Sequence, residues 1–216
     1  MKYEMLCQSP FPMVRLQLAR GEKILIEPGS MTYCDATIEF ESKVNRGEGG
    51  GLFSAIGRAF TSGQSFFITH VTTEADNAYI TLGAKQPGEV HELCLGQEQW
   101  VLQDGVFLVC DDGVNYKMVR QSRTLSEMFL SASVNHFMME TTGTGSMLIA
   151  SCGKMREIEL NGETIIVDNT HAVAWTTGLT FKPRILWAEV GAGFIYEFSG
   201  YGKVLVQSCC RVSPGK

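Results

Sequence analysis

The chain has little of what most catalytic and targeting machinery requires. Only four of its 216 residues are His, at positions 70, 91, 136 and 171. No His-x-His or His-x-Asp pair occurs, so no segment writes out the His/carboxylate triad of a metal oxygenase. The seven Cys are odd in number and irregular in spacing, and no CxxC pair exists. That pattern argues against a disulfide framework and a zinc knuckle. His91-x-x-Cys94 is a lone two-ligand fragment where a zinc site needs three or four. There is no G-x-S-x-G nucleophile elbow, and no P-loop Lys-Ser/Thr pair. Gly143-Thr144-Gly145-Ser146 opens no helix pattern, so it is not a dinucleotide loop. No apolar run approaches the roughly 18 residues of a spanning helix. The start, MKYEMLCQSPFPMV, has neither the basic-then-apolar order of a secretory signal nor the Arg/Ser richness of a transit peptide. A soluble intracellular protein is expected. Charged residues make up 19% and the net charge is −5. An acidic chain without a basic run is poorly suited to a phosphate backbone.

What the chain does have is a repeat. GEKILIEPGSMTYCDATIEF begins at Gly21, GQEQWVLQDGVFLVCDDGVNY at Gly96, and GETIIVDNTHAVAWTTGLTF at Gly162. An offset of 76 places Gly29 on Gly105, Cys34 on Cys110, Asp35 on Asp111 and Ile38 on Val114. A further offset of 65 places Cys110 on Trp175, Val114 on Leu179 and Tyr116 on Phe181. Each copy reads as an apolar strand, a turn, a second apolar strand and an alternating strand ending in an aromatic. One hairpin cannot bury its apolar face alone, whereas stacked copies share a core. The offsets exceed the common solenoid periods. A closed three-part sandwich or barrel is therefore expected, with 23 Gly serving its many turns. The whole chain, residues 1–216, reads as one domain of three repeats, at about residues 14–95, 96–160 and 161–212.

Within this frame the strands alternate, as Val14 to Leu18 and Arg156 to Leu160 do. Pro28-Gly29 and Pro87-Gly88 mark turns, and residues 74–77 form a polar turn. Thr142 to Gly145 and Asn161-Gly162 read as hairpin turns. Residues 52–61, LFSAIGRAFT, space Leu52, Phe53, Ile56 and Phe60 as a short amphipathic helix beside one cation, Arg58. These five form the candidate interaction surface, able to pack on the chain's own sheet, dock on a neighbouring subunit or touch a membrane. Gly47, Gly49, Gly50 and Gly51 precede it and form a weak candidate anion loop at its N-terminus; the alternative is a connector. Residues 122–133 carry a second helical stripe of Leu125, Met128 and Phe129. Cys34, Cys94, Cys110 and Cys152 lie in apolar strands and read as buried thiols of a reducing compartment. Cys209 and Cys210 read as adjacent strand residues pointing to opposite faces. Glu27, Asp104 and Asp168 recur before each turn, which fits turn chemistry better than catalysis.

EPGSM after an apolar strand, then GEGGGLFSAIGRAFTSGQSFF, then IIVDNTHAVAW, occur in this order. Together they resemble the family typified by the altered-inheritance-of-mitochondria protein and its bacterial relatives, over nearly the whole chain. The resemblance implies β-sandwich modules in threefold pseudo-repeat. Such modules are similar to those of the tryptophan RNA-binding attenuation protein and related to the double-stranded β-helix. It also implies a trimer or hexamer, cytosolic in bacterial members, while fungal mitochondrial members are linked to inner-membrane organisation. Two departures stand out. Thr170 occupies a position where the family often has Gly, so a looser turn is expected before His171. The Gly-rich insert is clear only in the first copy.

The expectation is an all-β chain with one or two short helical inserts. It is expected to act as a non-enzymatic binding or scaffold protein that self-associates, without cofactor, metal or catalytic residues. Two alternatives remain open. One is an enzyme whose metal or small-molecule site is assembled from distant residues such as His70, His136 and His171. The other is RNA binding by analogy of fold, which the acidic charge disfavours. A mitochondrial location is the alternative to the cytoplasm.

Overall fold

Along Met13–Leu18, Val14, Leu16 and Leu18 are buried while the residues between them are half-exposed. The alternation read from the sequence thus makes a strand with one face to a core. A computed structural model of the chain describes residues 1–44, 67–120, 137–186 and 193–210. Its strands, in chain order, are β1 (Lys2–Cys7), β2 (Met13–Leu18), β3 (Lys23–Ile26), β4 (Met31–Cys34), β5 (Ile38–Val44) and β6 (Phe67–Thr73). Next come β7 (Ala78–Gly83), β8 (Val90–Leu95), β9 (Trp100–Gln103), β10 (Phe107–Asp111), β11 (Val114–Arg120) and β12 (Phe137–Gly143). The last are β13 (Gly145–Ala150), β14 (Met155–Asp168), β15 (Ala172–Thr176), β16 (Thr180–Leu186) and β17 (Gly193–Gln207). No helix occurs among the described residues. The expected helical stripes at 52–61 and 122–133 lie outside them.

The strands form three antiparallel sheets. The first runs β1-β2-β7-β4, the second β5-β6-β3-β10-β13-β8, and the third β11-β12-β9-β15-β17-β14 with β16 also on β17. Of the two expected forms, the sandwich is the one found. The sheets stack with a core in each interface. Val14, Leu16 and Leu82 of the first sheet meet Ile24, Ile26 and Val109 of the second. On the other face of the second sheet, Leu25, Met147 and Ile149 meet Trp100, Leu102 and Leu205 of the third. Ile24, Leu25 and Ile26 are therefore all buried. A sheet covered on both faces explains why its strands read as unbroken apolar runs. In the third core Trp175 and Val204 meet Val167, Tyr196 and Phe198, all from the third sheet. That sheet reaches itself because the β14–β17 ribbon bends. Its register shifts between Asn161 and Thr164, beside Gly200 and Gly202 at φ 112° and 155°.

The pairing recurs with the sequence repeat. β5-β6-β3 in the first unit matches β11-β12-β9 in the second, and β2-β7-β4 matches β8-β13-β10. The third unit makes the same pattern from β16, β15 and the two halves of β14 and β17. Units are joined by one contact, second strand of one unit to third strand of the next. Ile26 pairs with Val109 across β3–β10, and Leu102 with Ala174 across β9–β15. The steps from Ile26 to Leu102 and from Val109 to Ala174 are 76 and 65 residues, the offsets counted in the sequence.

Two hairpin expectations are corrected. β12 and β13 flank Thr144 but do not pair with each other: β12 lies in the third sheet and β13 in the second. Gly143 and Gly145, at φ 91° and 138°, turn the chain between sheets. The polar turn expected at 74–77 is found, and it joins β6 of the second sheet to β7 of the first. Asn161-Gly162 ends no hairpin, because β14 continues through it as the bulge that bends the ribbon. Gly permits both outcomes, and the partner on each side decides between them. The looser turn at Thr170 is not found either. His171 N–H reaches the Asp168 carbonyl at 3.0 Å, as Ser30 N–H reaches Glu27 at 3.1 Å. The Asp168 side chain supplies what Gly29 supplies in the first copy, accepting from Thr170 N–H at 2.8 Å.

Candidate functional site

The interaction candidates Leu52, Phe53, Ile56, Arg58 and Phe60, and the anion-loop candidates Gly47, Gly49, Gly50 and Gly51, lie outside the described residues. So does His136. The other His residues are not brought together. His91 is exposed on β8, and strand alternation turns it to the opposite face from Cys94. His70 lies on β6, across from Leu25 and Glu41. His171 places Nδ1 2.8 Å from the carbonyl oxygen of Gln207. Gln207 is itself buried, and its side chain accepts from Cys152 N–H at 2.8 Å and donates to the Thr170 carbonyl at 2.8 Å. His171 thus belongs to a knot that ties the last strand to two turns. Among the described residues no three His, Cys, Asp or Glu are grouped to hold a metal ion.

The thiol expectation is met by Cys110 alone. Cys34 and Cys152 are half-buried, and Cys94 is exposed on the edge strand β8. Leu93 and Leu95 take the core side there, which leaves Cys94 the outward one. Cys209 and Cys210 are exposed and follow the end of β17 rather than sitting in it. Of the recurring acidic residues, Glu27 and Asp168 each accept the closing hydrogen bond of a turn on the backbone carbonyl. Glu27 receives the Ser30 hydroxyl on its carbonyl at 2.6 Å, and its carboxylate meets the Lys85 ammonium. Burial pushes its carboxyl above the usual range, and the Lys85 hydrogen bond opposes that shift. Asp168 Oδ1 holds both the N–H and the hydroxyl of Thr170.

The distinctive surface lies at the two ends of the repeat. β4 is the third strand of the first unit, and among the described residues it pairs with β7 alone. Residues 164–168 of β14 are the second strand of the last unit and, among the described residues, pair with β17 alone. Their internal counterparts each have a second neighbour, and the difference shows in burial. Phe107, Leu108 and Val109 on β10 are buried, as are Ala172, Val173 and Ala174 on β15. The matching residues of β4 are Met31, 42% exposed, Thr32, also exposed, and Tyr33, 40% exposed. Leu25 is buried and Val101 half-buried, but the matching Ile166 is 60% exposed. Val167 is buried like its counterparts Ile26 and Leu102, because it faces its own core. Tyr33 is held in place on the outer face. Arg15 donates to its hydroxyl at 2.9 Å, and the guanidinium also lies 5.1 Å from the Tyr79 ring centre.

None of Met31, Tyr33 and Ile166 was singled out from the sequence. The signal was available: in the aligned copies, the third strand of the first unit and the second strand of the last have no unit beside them to supply the partner their counterparts have.

These features define an all-β protein of stacked sandwich units, repeated three times by strand pairing. The chain belongs to the AIM24 family, described as mitochondrial biogenesis AIM24, whose pattern matches residues 3–209. It is 35% identical over 205 residues to the uncharacterized protein M6_Spy0233 of Streptococcus pyogenes serotype M6, covering 92% of this chain and 82% of that protein. Its fold is similar to the crystal structure of protein SPYM3_0169 from Streptococcus pyogenes. The TM-score is 0.79 and the identity 31%, covering 97% of this chain and 94% of that one.

Proposed function

We propose that this chain is a non-enzymatic binding or scaffold protein that assembles with copies of itself. The observation carrying this reading is the exposure of Met31, Tyr33 and Ile166 at positions whose internal counterparts are buried or half-buried. Apolar side chains on an unpaired strand edge invite another strand. The engagement of the Asp168 carboxylate with the N–H and hydroxyl of Thr170 supports a structural role for that recurring position. The net charge of −5 favours a protein partner over nucleic acid. We place the protein in the cytoplasm, a reading supported by the thiols of Cys7, Cys94, Cys209 and Cys210, which are free and exposed. A mitochondrial site, which the family description suggests, is the alternative.

Light scattering after size exclusion, run over a range of protein concentrations, tests the reading. A mass above that of the 23.8 kDa chain is expected. A monomer at every concentration would refute it.

A further inference from the structure

The two exposed ends are the two halves of a joint that the chain already makes twice. Inside the molecule the second strand of one unit pairs with the third strand of the next. Val109 lies opposite Ile26, Cys110 opposite Leu25 and Asp111 opposite Ile24. The second joint repeats that register, with Ala174 opposite Leu102, Trp175 opposite Val101 and Thr176 opposite Trp100. Stepping by 76 and 65 residues carries the same register onto the unpaired pieces. Tyr33 then lies opposite Val167, Cys34 opposite Ile166 and Asp35 opposite Ile165.

We infer that β4 of one copy pairs antiparallel with residues 164–168 of β14 in a second copy, in this register, so that copies join head to tail. The inference rests on the self-association reading and specifies its surface. Three observations select these edges over the others. First, among the described residues β5, β11 and β16 keep one free edge in every unit, as β8 and residues 155–161 of β14 do in the second and third units, and so are sheet ends by construction. Among the described residues, the edges of β4 and of residues 164–168 lack the partner that the neighbouring unit supplies to their counterparts. Second, the exposed side chains have the apolar character the joint uses. Leu25 and Val101 reach past their own unit into the next core, and Ile166 is the residue that would do so again. Third, the residues facing their own cores, Val167 and Cys34, already pack there, so pairing needs no rearrangement of either end. The occupant is a second copy because the complementary strand exists on this chain, at the matched register, and both pieces remain exposed within one molecule. The interface joins two different surfaces, so it propagates into a ring if the rotation closes and into a filament if it does not.

The test uses two full-length variants and their mixture. Tyr33→Lys places a charge on the β4 end, and Ile166→Lys places one on the β14 end. Both side chains are exposed, and circular dichroism checks that each variant keeps its strands and melting transition. Each variant alone is expected to fall to the mass of one 23.8 kDa chain. Mixed in equal amounts they are expected to form a dimer and stop there, since the mixture holds one intact end of each kind. Variants that keep the wild-type assembly size would overturn the joint and leave self-association standing. Variants that are monomeric alone and still monomeric when mixed would overturn the head-to-tail arrangement. A wild-type chain that is monomeric throughout would remove both this inference and the reading beneath it.

Discussion

Cys110 is fully buried between β10 and its neighbours, and burial beside Asp111 and Asp112 pushes its thiol far above the usual range. A thiol that cannot ionise does not react. Native-state alkylation read by mass spectrometry should therefore label Cys7, Cys94, Cys209 and Cys210 and spare Cys110 until the chain unfolds. Glu89 makes a different point about position. The Lys154 ammonium and the Met155 N–H, 3.0 Å away, hold its carboxyl below the ordinary value of 4.5. A carboxylate depressed in the folded state stabilises above its unfolded value, and that contribution fades as pH falls through the folded one. Glu89→Gln should cost about 1 kcal/mol near neutral pH. The gap to wild type should close below pH 4.5, which urea unfolding at several pH values would show. The alternating pattern gave Cys110 its burial correctly and Cys94 wrongly. Both sit in apolar strands, but only the neighbours in space say whether a strand is central or at an edge.

At the scale of elements, the loops matter as much as the strands. Gly88 and Gly153 form an isolated bridge between the approaches to β8 and β14. A Cβ on Gly88 would lie 1.9 Å from the Ser151 carbonyl oxygen, a backbone atom that cannot step aside. Gly88→Ala should cost roughly 2–3 kcal/mol, as forced overpacking does. Gly83→Ala is the control. Its nearest neighbour would be the Thr32 hydroxyl at 3.6 Å, an ordinary contact, and the change should stay within about 0.5 kcal/mol. Thermal melts of the pair decide it. The Pro87-Gly88 turn was legible in the sequence, but its tightness was not, because the constraint comes from a segment more than sixty residues away. The same holds at Asn161-Gly162. The dipeptide announces a departure from the regular ladder, and β17 running alongside makes that departure a bend.

At the scale of the whole molecule, the shared sheets should make unfolding a single event. Trp100 sits in the second core and Trp175 in the third, and the third sheet contributes to both. Fluorescence and far-UV circular dichroism should therefore report one coincident transition. Separate transitions would mean that the units are independent. The third core is the most aromatic. Trp175 stacks on Phe181 at 4.7 Å between ring centres, and Phe198 lies 5.1 Å from Trp175. Phe198 has no exposure, so Phe198→Ala should cost about 3–5 kcal/mol. The transition should move as a whole rather than split. The head-to-tail joint belongs to this scale too, since it depends on where the series of units begins and ends.

By itself the sequence determined the all-β class, the threefold repeat with offsets of 76 and 65 residues, and the alternation that sends Val14, Leu16 and Leu18 inward. These are local or periodic properties, set by side-chain polarity at a spacing of two and by residues that match between copies. The tertiary structure decided which strands are neighbours. It put β12 and β13 in different sheets, covered the second sheet on both faces, and left Tyr33 and Ile166 exposed where Val109 and Leu25 are buried. Pairing partners are chosen by the total apolar surface a stack can bury, and that quantity exists only once all the strands are in place.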